Sequence, residues 1–160
     1  MEFNVEKFKI MHVGRHNQKF DYVMAGQNLT KVKEEKDLGI WMSTNLKPSL
    51  QCLKAATAAN QVLGQMARTF HYRTKAVWGR LYVVFVRPKL EYCSCIWSPW
   101  MDADCEVLER VQRRAVKMMC NVKGDTYEEK LKDAELKLLR ERRLRGDMIE
   151  VLKVVRGINK

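Results

Sequence analysis

The chain has 160 residues, 46% of them hydrophobic and 31% charged, with only eight glycines and three prolines, which excludes disordered, collagen-like and mucin-like classes. Thirty Lys and Arg against nineteen Asp and Glu leave a net charge of +11, a balance that favours a polyanionic partner. Over half of that excess lies in residues 51–100, where seven basic side chains meet one acid, Glu91.

Residues 1–46 have the pattern of short strands and turns, and residues 47–160 that of helices. The expected class is α+β, an N-terminal antiparallel hairpin region followed by a mostly helical bundle. Residues 8–13 and 20–24 are partly alternating runs flanking a polar loop, which predicts a hairpin. Gly26-Gln-Asn28 supplies a turn into residues 29–32, and Leu38-Gly-Ile-Trp-Met42 predicts the last strand. A sheet of this size needs further packing to be stable. From Pro48 the period becomes helical: Leu50, Leu53, Ala56, Ala59, Val62, Leu63 and Met66 recur at three- and four-residue steps. Val77, Trp78, Leu81, Tyr82, Val84 and Phe85 mark a second helix, expected to stop near Pro88. Asp102 and Asp104 sit where a third helix wants an N-capping acid. Its apolar positions are Val107, Leu108, Val111, Ala115, Met118 and Met119. Gly124-Asp-Thr126 ends one helix and starts another, and residues 136–155 form the last long one.

Two groups of cations are candidates for phosphate contacts. On the third helix Arg110, Arg113, Arg114 and Lys117 fall within about a 100° arc. Glu106 and Glu109 precede Arg110 and Arg113 by four residues, the favourable order for helix ion pairs. On the second, Arg73, Arg80 and Arg87 recur by sevens; if one helix carries all three they make a stripe about 21 Å long. A solvated surface is the plain alternative for both groups.

Other chemistry is sparse. Cys93-Ser-Cys95, Cys105, Cys120 and His71 lack the paired spacing of a zinc site, and Cys-x-Cys beside Trp97 and Trp100 reads as a small apolar corner. No phosphate loop, Gly-x-Ser-x-Gly or Asp-Asp pair occurs, so no catalytic residue and no resident cofactor or metal is expected. Arg145-Gly-Asp147 matches an adhesion tripeptide by letter only. Five scattered cysteines, no signal-peptide pattern and no run near 20 apolar residues suggest an intracellular protein, nuclear or cytoplasmic, with no membrane partner.

The succession of short motifs resembles one family. Phe3-Asn-Val-Glu-Lys-Phe-Lys-Ile-Met-His-Val-Gly14 and Glu35-Lys-Asp-Leu-Gly-Ile40 are similar to the stretch after the catalytic centre of non-LTR (LINE-type, jockey-like) retrotransposon reverse transcriptases. Ala59-Asn-Gln-Val-Leu-Gly64, Val86-Arg-Pro-Lys-Leu-Glu-Tyr-Cys93, Trp97-Ser-Pro-Trp100, Leu108-Glu-Arg-Val-Gln-Arg-Arg-Ala115, Tyr127-Glu-Glu-Lys-Leu131 and Arg142-Arg-Leu-Arg-Gly-Asp-Met-Ile149 continue it. Each motif is weak alone, and the strength lies in their order over nearly the whole chain.

The resemblance implies the last palm strands (1–46) and the helical thumb (47–160) of an RNA-directed DNA polymerase. The aspartates that hold Mg2+ in that family would lie upstream, with Met1 an internal methionine, so this truncated chain is not expected to polymerise alone. It also implies accessory roles at the palm edge. Asn4 and Lys7 match an Asn-x-x-Lys motif where a lysine near the departing pyrophosphate has been proposed as an acid, although Phe8 replaces a frequent cysteine. Leu38 and Gly39 match a hairpin that steadies the primer end. The implied partner is an RNA/DNA duplex or RNA, with self-association possible through apolar surface that the missing palm would leave exposed.

Overall fold

The computed structural model describes residues 4–14 and 16–158. The chain divides into two compact units, Met1–Gln51 and Cys52–Lys160. The first carries eight basic and six acidic side chains and the second twenty-two and thirteen, so the positive excess belongs mainly to the second. The class is α+β.

Among the described residues of the first unit a 3-10 turn at Val5–Lys7 precedes six short strands. These are β1 (Lys9–Ile10), β2 (Val23–Met24), β3 (Gln27–Asn28), β4 (Thr30–Lys31), β5 (Glu34–Asp37) and β6 (Ile40–Ser43). Among the described residues the hairpin expected between residues 8–13 and 20–24 is not formed. Instead β1 pairs in parallel with β4, and β2 pairs antiparallel with β3. Ala25 and Gly26 between them have φ of 49° and 78°, the left-handed pair that a two-residue turn needs. Closing a loop of two residues costs less entropy than closing the longer one at 14–19.

β5 and β6 form the longest ladder, with Glu34 opposite Ser43 and Asp37 opposite Ile40. Leu38 and Gly39, expected inside a strand, are its turn, at φ of 45° and 90°. The charged run Glu34–Asp37 was not expected to be a strand; it pairs because this turn fixes it opposite Ile40–Ser43. Lys9 Nζ reaches both carboxylate oxygens of Glu35, at 2.9 and 2.8 Å. Gln51 Oε1 accepts the Trp41 backbone N–H at 2.9 Å.

Helix α1 (Ser49–Thr69) opens the helical part, as the period after Pro48 predicts. Cys52, Ala55, Ala56, Ala59, Leu63 and Met66 are buried, whereas Leu53, one of the expected core positions, is 54% exposed. Small residues on this face let neighbouring backbone approach closely.

The second helical stretch is longer and less regular than expected. α2 (Lys75–Leu81) runs into a π turn (Tyr82–Val86) and on into α3 (Arg87–Glu91). Pro88 does not stop it, because proline lies in the first turn of α3, where its missing N–H is not called on. Trp78, Tyr82, Val86 and Leu90 are all fully buried at a constant four-residue step. At 100° per residue such a step drifts by about 40° each time, and the wider π turn absorbs part of that drift.

Cys93, at φ 49°, leads into α4 (Ser94–Trp97). Trp97 is buried and donates to the Tyr92 carbonyl at 2.7 Å, but Trp100 is 68% exposed, so the apolar corner expected there holds only one of the two. α5 (Asp102–Lys117) follows. Its N-cap is Met101, without a side-chain cap bond; Asp102 and Asp104 lie inside the first turn, where the helix dipole favours them, rather than capping it. Leu108, Val111, Ala115, Val116 and Met119 are buried, and Trp78 Nε1 donates to the Ala115 carbonyl at 3.0 Å.

α6 (Tyr127–Asp133) starts on a complete capping box, Thr126 with Glu129. Gly124 has φ 127°, and a Cβ there would meet Glu129 Cβ at 2.6 Å, so glycine is required on both counts. α7 (Leu139–Val155) begins three residues later than expected, since Leu136 is held outside it by a bond from its N–H to the Leu131 carbonyl at 2.8 Å.

Candidate nucleic-acid interface

On α5 the four expected cations divide. Arg110 is 71% exposed, with only a 3.7 Å approach to Glu106. Arg114 is exposed and donates to the neutral Asn60 Oδ1 of α1 at 3.0 Å. Lys117 is exposed in the last turn. Arg113 is committed elsewhere: it pairs with Glu106 at 2.5 Å and lies 4.7 Å from the Tyr127 ring centroid. That hydrogen bond raises the Arg113 pKa and lowers that of Glu106.

Glu109 is not the i,i+4 partner of Arg113 that its spacing suggests. It is buried and gathers three donors: Tyr127 Oη at 2.6 Å, Gln112 Nε2 at 2.9 Å and the Leu139 N–H at 3.0 Å. Gln112, also buried, accepts from Tyr82 Oη at 2.8 Å and donates to the Lys137 carbonyl at 3.0 Å. Burial and the neighbouring carboxylate push the Tyr82 and Tyr127 hydroxyls above their ordinary range. This network joins α5 to α6 and to the first residue of α7, and it fixes the helix that carries the exposed arginines. Sequence reasoning missed it; the available signal was Gln112 itself, four residues after Leu108 and three before Ala115, inside the apolar stripe.

The stripe expected from Arg73, Arg80 and Arg87 is not formed. Arg73 precedes α2, gives Nη2 to the Ala67 carbonyl at 2.7 Å and lies 5.3 Å from the Trp78 ring centroid. Of the three arginines only Arg80, on α2, is exposed. Arg87 follows the π turn and stands 3.7 Å from Glu91, which also receives Arg142 at 2.6 and 3.0 Å. Burial, with Arg142 beside it, lowers the Arg87 pKa. A single helix through all three would have needed ordinary turns from 73 to 87, and the chain has neither a helix at 73 nor an α turn at 82–86.

Near Glu109 a cleft of about 630 Å3 is lined by Asp102, Glu106, Arg113, Arg140 and Arg143 among others. Its charges largely satisfy one another, since Arg113 pairs with Glu106 and Arg140 with Asp102. It therefore offers no surplus of positive charge.

In the first unit Asn4 caps the 3-10 turn, its Oδ1 accepting the Glu6 N–H at 3.1 Å, and Lys7 ends that turn exposed. Leu38 is 85% exposed at the tip of the β5–β6 hairpin beside Gly39. Cys52, Cys93, Cys95, Cys105 and Cys120 are free thiols. Among the described residues no group of three or more His, Cys, Asp or Glu side chains could hold a metal ion, and no helix is long and apolar enough to cross a membrane. No family model matches the chain, and no similar curated protein or solved structure was found.

Proposed function

We propose that the chain is the palm-edge and thumb part of a non-LTR retrotransposon reverse transcriptase, gripping template-primer nucleic acid through its backbone and carrying no chemistry of its own. The observation that supports this reading most is the placement of charge. Arg110, Arg114 and Lys117 are exposed along about 10 Å of one α5 face. The buried Glu109 network holds that helix in place from behind. Such a surface suits successive phosphates and reads no bases. Arg80 adds a fourth exposed cation on α2. Asn4, Lys7, Leu38 and Gly39 would serve the palm edge, and Mg2+ would enter only if the chain were joined to a catalytic palm.

A second reading is favoured by α7. Leu144, Met148, Val151 and Val155 are 59–78% exposed at alternating four- and three-residue steps, the seam of a coiled coil. It would make the chain a host-retained helical interaction module, with self-association its simplest expression.

One titration separates the two. Anisotropy of a labelled RNA/DNA hybrid, measured across salt concentrations, should give a steep log-log slope on the first reading. Changing Arg80, Arg110, Arg114 and Lys117 together to Ala should reduce that slope by about 3 to 4 units. Affinity indifferent to salt or to the four changes would reject the first reading, and oligomers seen by light scattering without nucleic acid would support the second.

A further inference from the structure

The first unit contains a cavity of about 750 Å3, within the roughly 300–1,000 Å3 range of small-ligand sites. Four lysines, Lys19, Lys31, Lys33 and Lys47, contribute to its wall together with His12, and none of the described residues lining it is acidic. Only Lys31 is neutralised, by Asp21 at 2.5 Å, and it also donates to the Lys19 carbonyl at 3.1 Å. Among the described residues Lys19, Lys33 and Lys47 have no ion pair. Val13, Val32 and Leu46 supply an apolar portion, and Thr44 and Asn45 bring polar side chains. His12 Nε2 is buried without a hydrogen-bond partner, an arrangement that costs free energy unless something fills it. Asn45 Oδ1 accepts from Ser43 Oγ and from the Lys47 N–H, both at 2.8 Å, so the 43–47 turn that presents Lys47 is itself braced.

We propose that this cavity binds a phosphate-bearing ligand of nucleotide size. The unpaired ammonium groups of Lys19, Lys33 and Lys47 would meet the phosphates. The apolar wall would take the uncharged part, and His12 Nε2 would give or take one hydrogen bond. Lysines suit this role as point charges that tolerate several phosphate orientations. The site uses none of the α2 and α5 cations assigned to the nucleic-acid grip, so either proposal can fail without the other.

Calorimetric titration of the whole chain with ATP, inorganic pyrophosphate and adenosine tests it. Saturable binding of ATP and pyrophosphate, with adenosine weaker by about tenfold or more, is expected. The triple variant Lys19→Gln, Lys33→Gln, Lys47→Gln should lose about tenfold or more of the pyrophosphate affinity while keeping its circular dichroism spectrum. His12→Gln should weaken binding more modestly. Competition by an oligonucleotide would identify a nucleic-acid phosphate as the occupant; pyrophosphate binding that resists the oligonucleotide would identify a free phosphorylated molecule. No saturable binding of either phosphate compound, or affinity unchanged in the triple variant, would overturn the proposal.

Discussion

At the scale of single residues the chain depends most on Glu109. A carboxylate taken out of water is expensive unless its oxygens are bonded, and Tyr127, Gln112 and the Leu139 N–H all bond it. Truncation takes the acceptor from the buried Leu139 N–H and from the Tyr127 hydroxyl, while Gln112 Nε2 keeps its bond to the Lys137 carbonyl. Glu109→Ala should therefore cost about 3 kcal/mol in urea unfolding, and Glu109→Gln, which keeps one acceptor oxygen, noticeably less. A loss under 1 kcal/mol for the alanine variant would show that the network is not what secures α7 to α5. The same burial accounts for Cys52, whose thiol is pushed up to about 12, first by desolvation and then by the charge of Asp104. It is a packing atom in α1 rather than a nucleophile.

At the scale of elements, the tip of the β5–β6 hairpin carries strain. Leu38 adopts φ 45° in the two-residue turn between β5 and β6, a conformation that Asn tolerates far better, while its side chain is 85% exposed. Leu38→Asn should raise stability by about 0.5–1 kcal/mol, seen as a higher melting temperature; a lower one would mean that the Leu38 side chain contributes packing that outweighs the strain. The same hairpin shows where the sequence was legible and where it was not. Helix α1 was readable because its alanines recur at helical spacing. Ile40–Ser43 were readable as strand, but the residues before them form the turn, since a left-handed leucine leaves no mark in a hydropathy pattern. Tertiary pairing chose β4 as the partner of β1 over the neighbour suggested by alternation. For the candidate interface, the exposed face of α5 was legible from its arc of cations. The division of labour within it was not. Which arginines remain free depends on choices that helical spacing does not rank, such as Glu106 taking Arg113 at 2.5 Å while standing 3.7 Å from Arg110, and on a π turn that no spacing rule announces.

At the scale of the whole molecule, stability should vary with pH at both extremes. Asp21, Glu106, Glu129 and Asp133 all have depressed pKa values, held down chiefly by Lys31, by Arg113, by the backbone N–H groups of Asp125 and Thr126, and by the Lys123 N–H with Lys75. A carboxylate depressed in the folded state adds stability that is present above its ordinary value, 3.8 for Asp and 4.5 for Glu, and loses it as pH falls through the folded value. Tyr82 and Tyr127 are raised above their ordinary 10.0, so their contribution is lost as pH climbs beyond that value. A melting-temperature profile should show a plateau between about pH 5 and 9, falling on both sides; an unchanged melting temperature down to pH 2.5 would contradict the acid limb. The boundary between the two units has its own consequence. It falls between Gln51 and Cys52, inside α1, which starts at Ser49 and runs unbroken to Thr69. There is no floppy tether there for a protease to find or an engineer to sever. A helical unit expressed alone has to begin before Ser49, since a cut at the boundary would remove the first turn on which the rest of that helix propagates.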